Sequence, residues 1–178
     1  HVEGEIPGMR CLEAGHPIPD ENSFEGTREI LDMTSGLHSE DVVVFLLSGG
    51  GSALFEDPLV QPEELEDITR QLLACGADIK EINTIRKRLS RVKGGRFAQH
   101  CDPAKVFSVV LSDVLGDPLD MIASGPASPD KSTSEEALKI IEKYQLQISR
   151  KTAEFLKEET PKELKNANSV ISGNVRAL

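Results

Sequence analysis

The sequence predicts an α/β domain with a mainly parallel sheet, and three observations carry that prediction. Two short runs, Val42-Val43-Val44-Phe45-Leu46-Leu47 and Val106-Phe107-Ser108-Val109-Val110-Leu111, are apolar at nearly every position. Such runs suit strands buried on both faces, as in a parallel sheet covered by helices. Segments with apolar residues at helical spacing alternate with them. Each run ends in serine and passes into a polar loop, Ser48-Gly49-Gly50-Gly51-Ser52 after the first and Ser112-Asp113-Val114-Leu115-Gly116-Asp117 after the second.

Along the chain, Val2 to Leu12 holds scattered glycine and proline with one apolar patch, read as an edge strand. Ala14 to Glu21 is a rigid loop, because Pro17 and Pro19 fix their own backbone. A helix fits Phe24 to Leu37, with Phe24, Thr27, Ile30, Leu31, Thr34 and Leu37 on one face. The first strand spans Asp41 to Leu47. Pro62 suits the first turn of a helix whose Leu65, Ile68, Leu72 and Leu73 form a stripe ending at Gly76. Asp78 and Glu81 stand in capping-box relation and open a helix with Ile79, Ile82, Ile85, Leu89 and Val92 inward. Its other face carries Lys80, Arg86, Lys87 and Arg91, and Gly94-Gly95 ends it before a short helical piece from Arg96 to His100.

The second strand, Val106 to Leu111, leads into Ser112 to Asp130, a loop long enough to suggest function. Thr133 and Glu136 form another capping box, with Leu138, Ile141 and Tyr144 inward on the helix that follows. Ser149 to Glu159 reads as a further helix, and Asn168 to Ile171 as a short strand reaching Ser172-Gly173-Asn174.

A length of 178 residues fits one domain. With six Phe, one Tyr and no Trp, aliphatic side chains must build most of the core. The net charge of -10 argues against a general nucleic-acid binder, which needs a basic face. A small anion stays open, since a few local cations outweigh the global sign at a cleft. Cys11, Cys75 and Cys101 form no C-x-x-C pair, so they read as reduced core thiols of a cytoplasmic protein. No run approaches transmembrane length. The chain opens on His1 and closes on Leu178 just after the apolar step Val170-Ile171, which reads as part of a longer polypeptide.

Ser48 to Ser52 is neither a Walker A loop nor a dinucleotide fingerprint. It offers backbone donors and two hydroxyls to an anion, with a helix start behind them; the alternative is a tight strand-to-helix turn needing glycine for its dihedrals. Asp113 and Asp117 would hold Mg2+ beside phosphate oxygens, or only make an Asx-type turn. Lys93 and Arg96 flank Gly94-Gly95 as phosphate partners, or complement a helix C-terminus. Asn83 and Arg86 lie on or beside an apolar helix face and reach for a ligand or a structural partner. His16, and the hydroxyl and N–H of Ser124-Gly125-Pro126, carry the same two readings.

Six motifs occur in order: Gly15-His16-Pro17-Ile18-Pro19-Asp20-Glu21, Leu47-Ser48-Gly49-Gly50-Gly51-Ser52-Ala53-Leu54, Gly76 to Asn83, Arg86 to Arg96, Ser112 to Asp117, and Ile122-Ala123-Ser124-Gly125-Pro126. Together they resemble the N-terminal domain of the glycerate 2-kinase family, whose members are often labelled hydroxypyruvate reductase. The resemblance runs from about Gly15 to Asn174. It implies a Rossmann-like three-layer domain and transfer of the ATP γ-phosphoryl group to the 2-hydroxyl of D-glycerate. Two segments of the family, an opening one with a lysine-bearing glycine motif and a C-terminal domain, lie outside these 178 residues. This chain alone is therefore expected to be inactive. Phe97 and Ala127 depart from the leucine and threonine common in the family.

Under the resemblance, Ser48, Gly49, Gly50, Gly51, Ser52, Asn83, Arg86, Arg96, Ser124 and Gly125 are expected to bind substrate or phosphate. Lys93 and Asp113 are expected to be catalytic, with Asp113 and Asp117 holding Mg2+. The partners expected are D-glycerate and ATP, with no nucleic acid, no membrane, and a homodimer as one option. Two competing readings are an NAD(P)H-dependent hydroxypyruvate reductase, against which the missing dinucleotide fingerprint counts, and a non-catalytic module binding a small anion or nucleotide.

Overall fold

The structure is a computed structural model and describes residues 7–112 and 119–174. Three strands, β1 (Val42–Leu47), β2 (Lys105–Ser112) and β3 (Ala167–Asn174), lie side by side in that order and pair in parallel. Seven helices join and flank them among the described residues: α1 (Glu21–Met33), α2 (Gly51–Leu54), α3 (Pro62–Ala74), α4 (Ile79–Arg88), α5 (Arg96–His100), α6 (Ser134–Tyr144) and α7 (Arg150–Lys157). A short 3-10 turn occupies Ile122–Ser124. The α/β class with a parallel sheet is as expected.

Local chemistry sets most helix starts. Asp78 accepts from the Lys80 and Glu81 amides while Glu81 reaches back to the Asp78 N–H, so the expected capping box opens α4. Thr133 and Glu136 do the same for α6. A further box, Asp20 with Ser23, starts α1 three residues earlier than its apolar stripe suggests, and α1 also stops earlier, at Met33.

Three apolar clusters hold the fold among the described residues, the smallest of them Leu47, Val110, Ile122 and Ala123 beside the glycine loop. Leu65, Ile68 and Leu72 of α3 pack with Ile82 and Ile85 of α4, Ala137 and Ile140 of α6 and Leu156 of α7. The second core lies on one sheet face, where Phe45, Phe55 and Phe97 form a ring cluster with centroids 4.9–5.3 Å apart over Val106 and Ala98.

Several expectations need correction. The β1 run is a strand, yet only Val43, Phe45 and Leu47 point into the core. Val42, Val44 and Leu46 stand 60%, 62% and 72% exposed, beside exposed Phe107, Leu111 and Val170. Among the described residues, then, one sheet face is covered and the other is an open apolar surface. Leu73, Ile79 and Leu138 were expected inward but are exposed; Ala137 and Ile140 take the inner face of α6 instead. Lys87, expected on a solvated face, is buried with its neighbour Arg88. Cys11 and Cys75 are exposed, and Cys101 alone is the expected core thiol. Residues 7–12 form no strand, while the start of that proposed edge strand lies outside the described residues. No helix among the described residues is long and apolar enough to cross a membrane.

Candidate functional site

The chain turns sharply where β1 ends at the carboxyl edge of the sheet. Gly50 has φ of 83°, a left-handed backbone that favours glycine. The first helical bond runs from Ala53 N to Gly50 O at 3.0 Å, so the Gly51 and Ser52 amides precede it and have no partner within α2. With only four residues, α2 adds little of the dipole that a longer helix would supply. A Cβ on Gly51 would sit 2.7 Å from Ala123 Cβ and 2.9 Å from Leu47 Cδ1. Gly51→Ala is therefore expected to cost about 1–3 kcal/mol through overpacking, measurable as a lower urea midpoint.

A cavity of about 490 Å³ opens at this turn, lined by Ser48, Gly49, Gly50, Gly51 and Ser52 with His16, Lys80, Asn83, Arg86 and Met121 among the rest. Among the described residues no acidic side chain lines it, although the chain carries a net charge of -10. Asn83 and Arg86 arrive from α4. The Arg86 guanidinium donates to Ser52 O at 3.0 Å, pinning the start of α2, while its Nε is buried without a partner.

Ser124 lies directly beneath this cavity. Its hydroxyl, fully buried, donates to Asn83 Oδ1 at 2.8 Å and sits 3.3 Å from Ser52 Oγ. Ala123, Ser124 and Gly125 run consecutively at φ of 49°, 61° and 66°, a strained path for the two non-glycine residues. The strand-like pairing of Gly94 N with Ser124 O (2.9 Å) and Gly95 N with Gly125 O (2.7 Å) holds that path in place. Ser124 and Gly125 thus brace the glycine loop, and neither lines the cavity.

Lys93 and Arg96 do not meet there either. The Arg96 guanidinium caps the chain after α4, donating to Ser90 O at 2.8 Å and Arg88 O at 3.3 Å, which is the helix-end alternative to a phosphate contact. The Lys93 ammonium, fully buried, donates to Phe55 O at 3.0 Å and faces the Glu56 carboxylate at 3.5 Å. Burial pulls its pKa from 10.5 to about 8, with Glu56 pulling upward and Arg86 downward. An unfolded lysine titrates near about 10.4, so between these values the unfolded chain binds more protons and this group makes stability rise with pH.

Two larger clefts lie elsewhere. One of about 690 Å³ runs between α1 and α3, lined by Ile18, Phe24, Leu65 and Leu73, and shares Pro17 and Arg86 with the glycine-loop cavity. The other, about 620 Å³ between α4 and α6, is lined by opposed charges such as Lys87 with Asp120 and Asp130, and Lys143 with Glu81. Volume alone favours these clefts, but among the described residues the glycine-loop cavity alone of the three gathers cations, and amides without a partner in α2, with no acid. Among the described residues no group of three or more His, Cys, Asp or Glu is placed to hold a metal. Asp113 and Asp117 lie outside the described residues.

Residues 1–157 match the family described as a domain of unknown function, DUF4147. The chain belongs to that family. This DUF4147 chain is 55% identical over 180 residues to a protein of Thermotoga maritima named D-glycerate 2-kinase, covering 100% of the chain and 43% of the relative. The crystal structure of a T. maritima glycerate kinase superposes with a TM-score of 0.96 at 55% identity, over 99% of this chain and 43% of that one. An Agrobacterium vitis protein with a provisional hydroxypyruvate reductase name is 37% identical over 172 residues, covering 96% of the chain and 44% of the relative. The DUF4147 chain therefore spans less than half the length of the curated relatives it matches.

Sequence reasoning missed Lys80 and Met121 on the cavity wall, and Glu56 behind it. Glu56 is fully buried between Lys93 and Arg86. Nothing in its spacing marks it, because its partners come from segments far along the chain.

Proposed function

We propose that this DUF4147 chain is most of the N-terminal domain of a D-glycerate 2-kinase, which transfers the ATP γ-phosphoryl group to the substrate 2-hydroxyl and releases ADP. The 55% identity across the whole chain to a protein named D-glycerate 2-kinase carries this reading. The convergence of the glycine loop, Asn83 and Arg86 on one cavity that no acid lines among the described residues supports it. Phosphoryl transfer asks a protein mainly to position reactants and neutralise charge.

In this reading the Gly49–Gly51 backbone, the Ser48 and Ser52 hydroxyls, Asn83 and the Arg86 guanidinium hold an oxyanion, either a nucleotide phosphate or the glycerate carboxylate. Ser124 and Gly125 keep that loop in shape. Asp113 and Asp117, on the segment after β2, are proposed for Mg2+, whose role would be to offset phosphate charge. The remaining catalytic groups are assigned to segments that the longer relatives carry, so the chain alone is inactive.

The test is ADP release by the full reading frame that carries this chain, supplied with ATP and D-glycerate. ADP formed in step with 2-phosphoglycerate is the expected result. Oxidation of NADH by hydroxypyruvate, with no ADP from ATP and glycerate, would replace the kinase with the reductase.

A further inference from the structure

Beneath the glycine loop, three charged side chains meet without enough partners. Glu56 follows α2 by two residues, and its amide is tied to Thr27 Oγ1 of α1 at 3.0 Å. Its carboxylate Oε2 lies 3.5 Å from Lys93 Nζ and 3.7 Å from Arg86 Nη2. Glu56 and Lys93 are fully buried, and the Arg86 side chain is 17% exposed at the cavity. Neither Glu56 oxygen has a hydrogen bond, and Arg86 Nε is also without one.

The neighbouring charges are engaged elsewhere. Asp57 turns to Arg28 and Arg91, at 3.2 and 3.1 Å. Lys87, one residue along α4, turns to Asp130 and Asp120. Among the described residues, Glu56 is the one carboxylate paired with Lys93 or Arg86, so two cations share one anion. A surplus positive charge held out of water is costly unless something balances it. Arg86 meets open space at the glycine-loop cavity and at the cleft between α1 and α3; Asp20, Glu21, Glu63 and Glu66 line the second, so among the described residues the glycine loop is the side that favours an anion.

We propose that Glu56, Lys93 and Arg86 act as one unit under the glycine loop: the carboxylate positions both cations, and their surplus positive charge sets the affinity of the cavity for an oxyanion. This rests on the reading of that cavity as an anion site. Lys93 is then a positioning residue, acting on the ligand through Glu56 and Arg86 without touching it. Arg86 is the contact, and Ser52 O fixes its direction. Because Lys93 loses its proton at about 8, the surplus disappears just above neutral pH, and a bound anion favours the charged lysine.

The experiment measures binding of sulfate and, separately, D-glycerate to the full reading frame at pH 7 and pH 9. Neither probe changes charge over that range, and the two distinguish a phosphate position from a carboxylate position. Glu56→Gln alone would leave two buried cations facing each other, so the informative pair is Lys93→Met and Glu56→Gln with Lys93→Met. The first brings the unit to zero charge and the second restores one positive charge. Lys93→Met is expected to weaken binding of one probe by roughly 5- to 150-fold at pH 7. The double variant is expected to recover most of that loss.

Wild-type affinity should fall from pH 7 to pH 9, beyond any slope left in the variants by His16 and Lys80 on the cavity rim. A double variant as weak as Lys93→Met would overturn the proposal, as would equal affinity in all three proteins. Binding of neither probe by the wild type would overturn it together with the anion site. Charge-dependent binding without ADP release from ATP and D-glycerate would sustain this proposal and sink the kinase reading, so the two fail separately.

Discussion

Asp130→Ala is expected to destabilise the fold by about 3 kcal/mol, within the range of about 3–5 seen when one partner of a buried ion pair is removed. Asp130 is 1% exposed and accepts from Thr160 Oγ1 at 2.7 Å, Ser132 Oγ at 2.8 Å, Lys87 Nζ at 3.0 Å and Ser132 N at 3.1 Å. Arg88, also buried, approaches it at 3.7 Å. Without the carboxylate, Lys87 keeps Asp120 and Arg88 keeps Glu159, which is why the low end of the range applies.

Burial alone would raise the Asp130 pKa, but the bonds from Thr160 and Ser132 and the charge on Lys87 hold it below 3.8. A carboxylate depressed in the folded state stabilises above its unfolded value, and that stabilisation is lost as pH falls through the folded value. Urea midpoints from pH 7 down to pH 3 check both points. Asp130→Asn should lose less at pH 7, and its stability should fall less steeply with acid than the wild type.

Arg86→Met in the full reading frame is expected to reduce kcat/KM by about 10²–10³-fold, the usual loss when one preorganised electrostatic contact to the reacting charge is deleted. Its guanidinium stands at the cavity with an unpaired Nε and a firm hold on Ser52 O, so the side chain both offers charge and shapes the loop. Arg96, by contrast, donates to the carbonyls of Arg88 at the end of α4 and Ser90 just after it, so Arg96→Met should leave kcat/KM near the wild-type value while lowering stability. Steady-state kinetics with ATP and D-glycerate on both variants separates the two arginines, which looked alike as phosphate partners in the sequence.

Local signals read well in this chain, and long-range ones did not. The Asp78–Glu81 and Thr133–Glu136 boxes span four residues each, so sequence alone carries their whole geometry. The glycine loop was legible too, because an apolar strand has to stop where three glycines begin. Lys87 looked like part of a solvated helix face and Arg88 drew no reading, since the Asp130 and Glu159 that compensate them lie 43 and 71 residues away. Glu56 was silent for the same reason. On α6 several apolar residues compete for one stripe, and Ala137 and Ile140 take the inner face, which leaves Leu138 outside. The apolar run of β1 marked a strand, but Val44 and Leu46 show that it did not reveal what covers each face.

In the proposed function, the glycine-loop cavity holds an oxyanion of the phosphoryl-transfer reaction. A crystal structure of the full reading frame with ADP and D-glycerate tests it most directly. A phosphate or carboxylate group is expected within hydrogen-bond distance of the Gly51 and Ser52 amides and the Arg86 guanidinium. Both ligands seated elsewhere, for example in the cleft between α1 and α3, with no oxyanion at the loop, would contradict it.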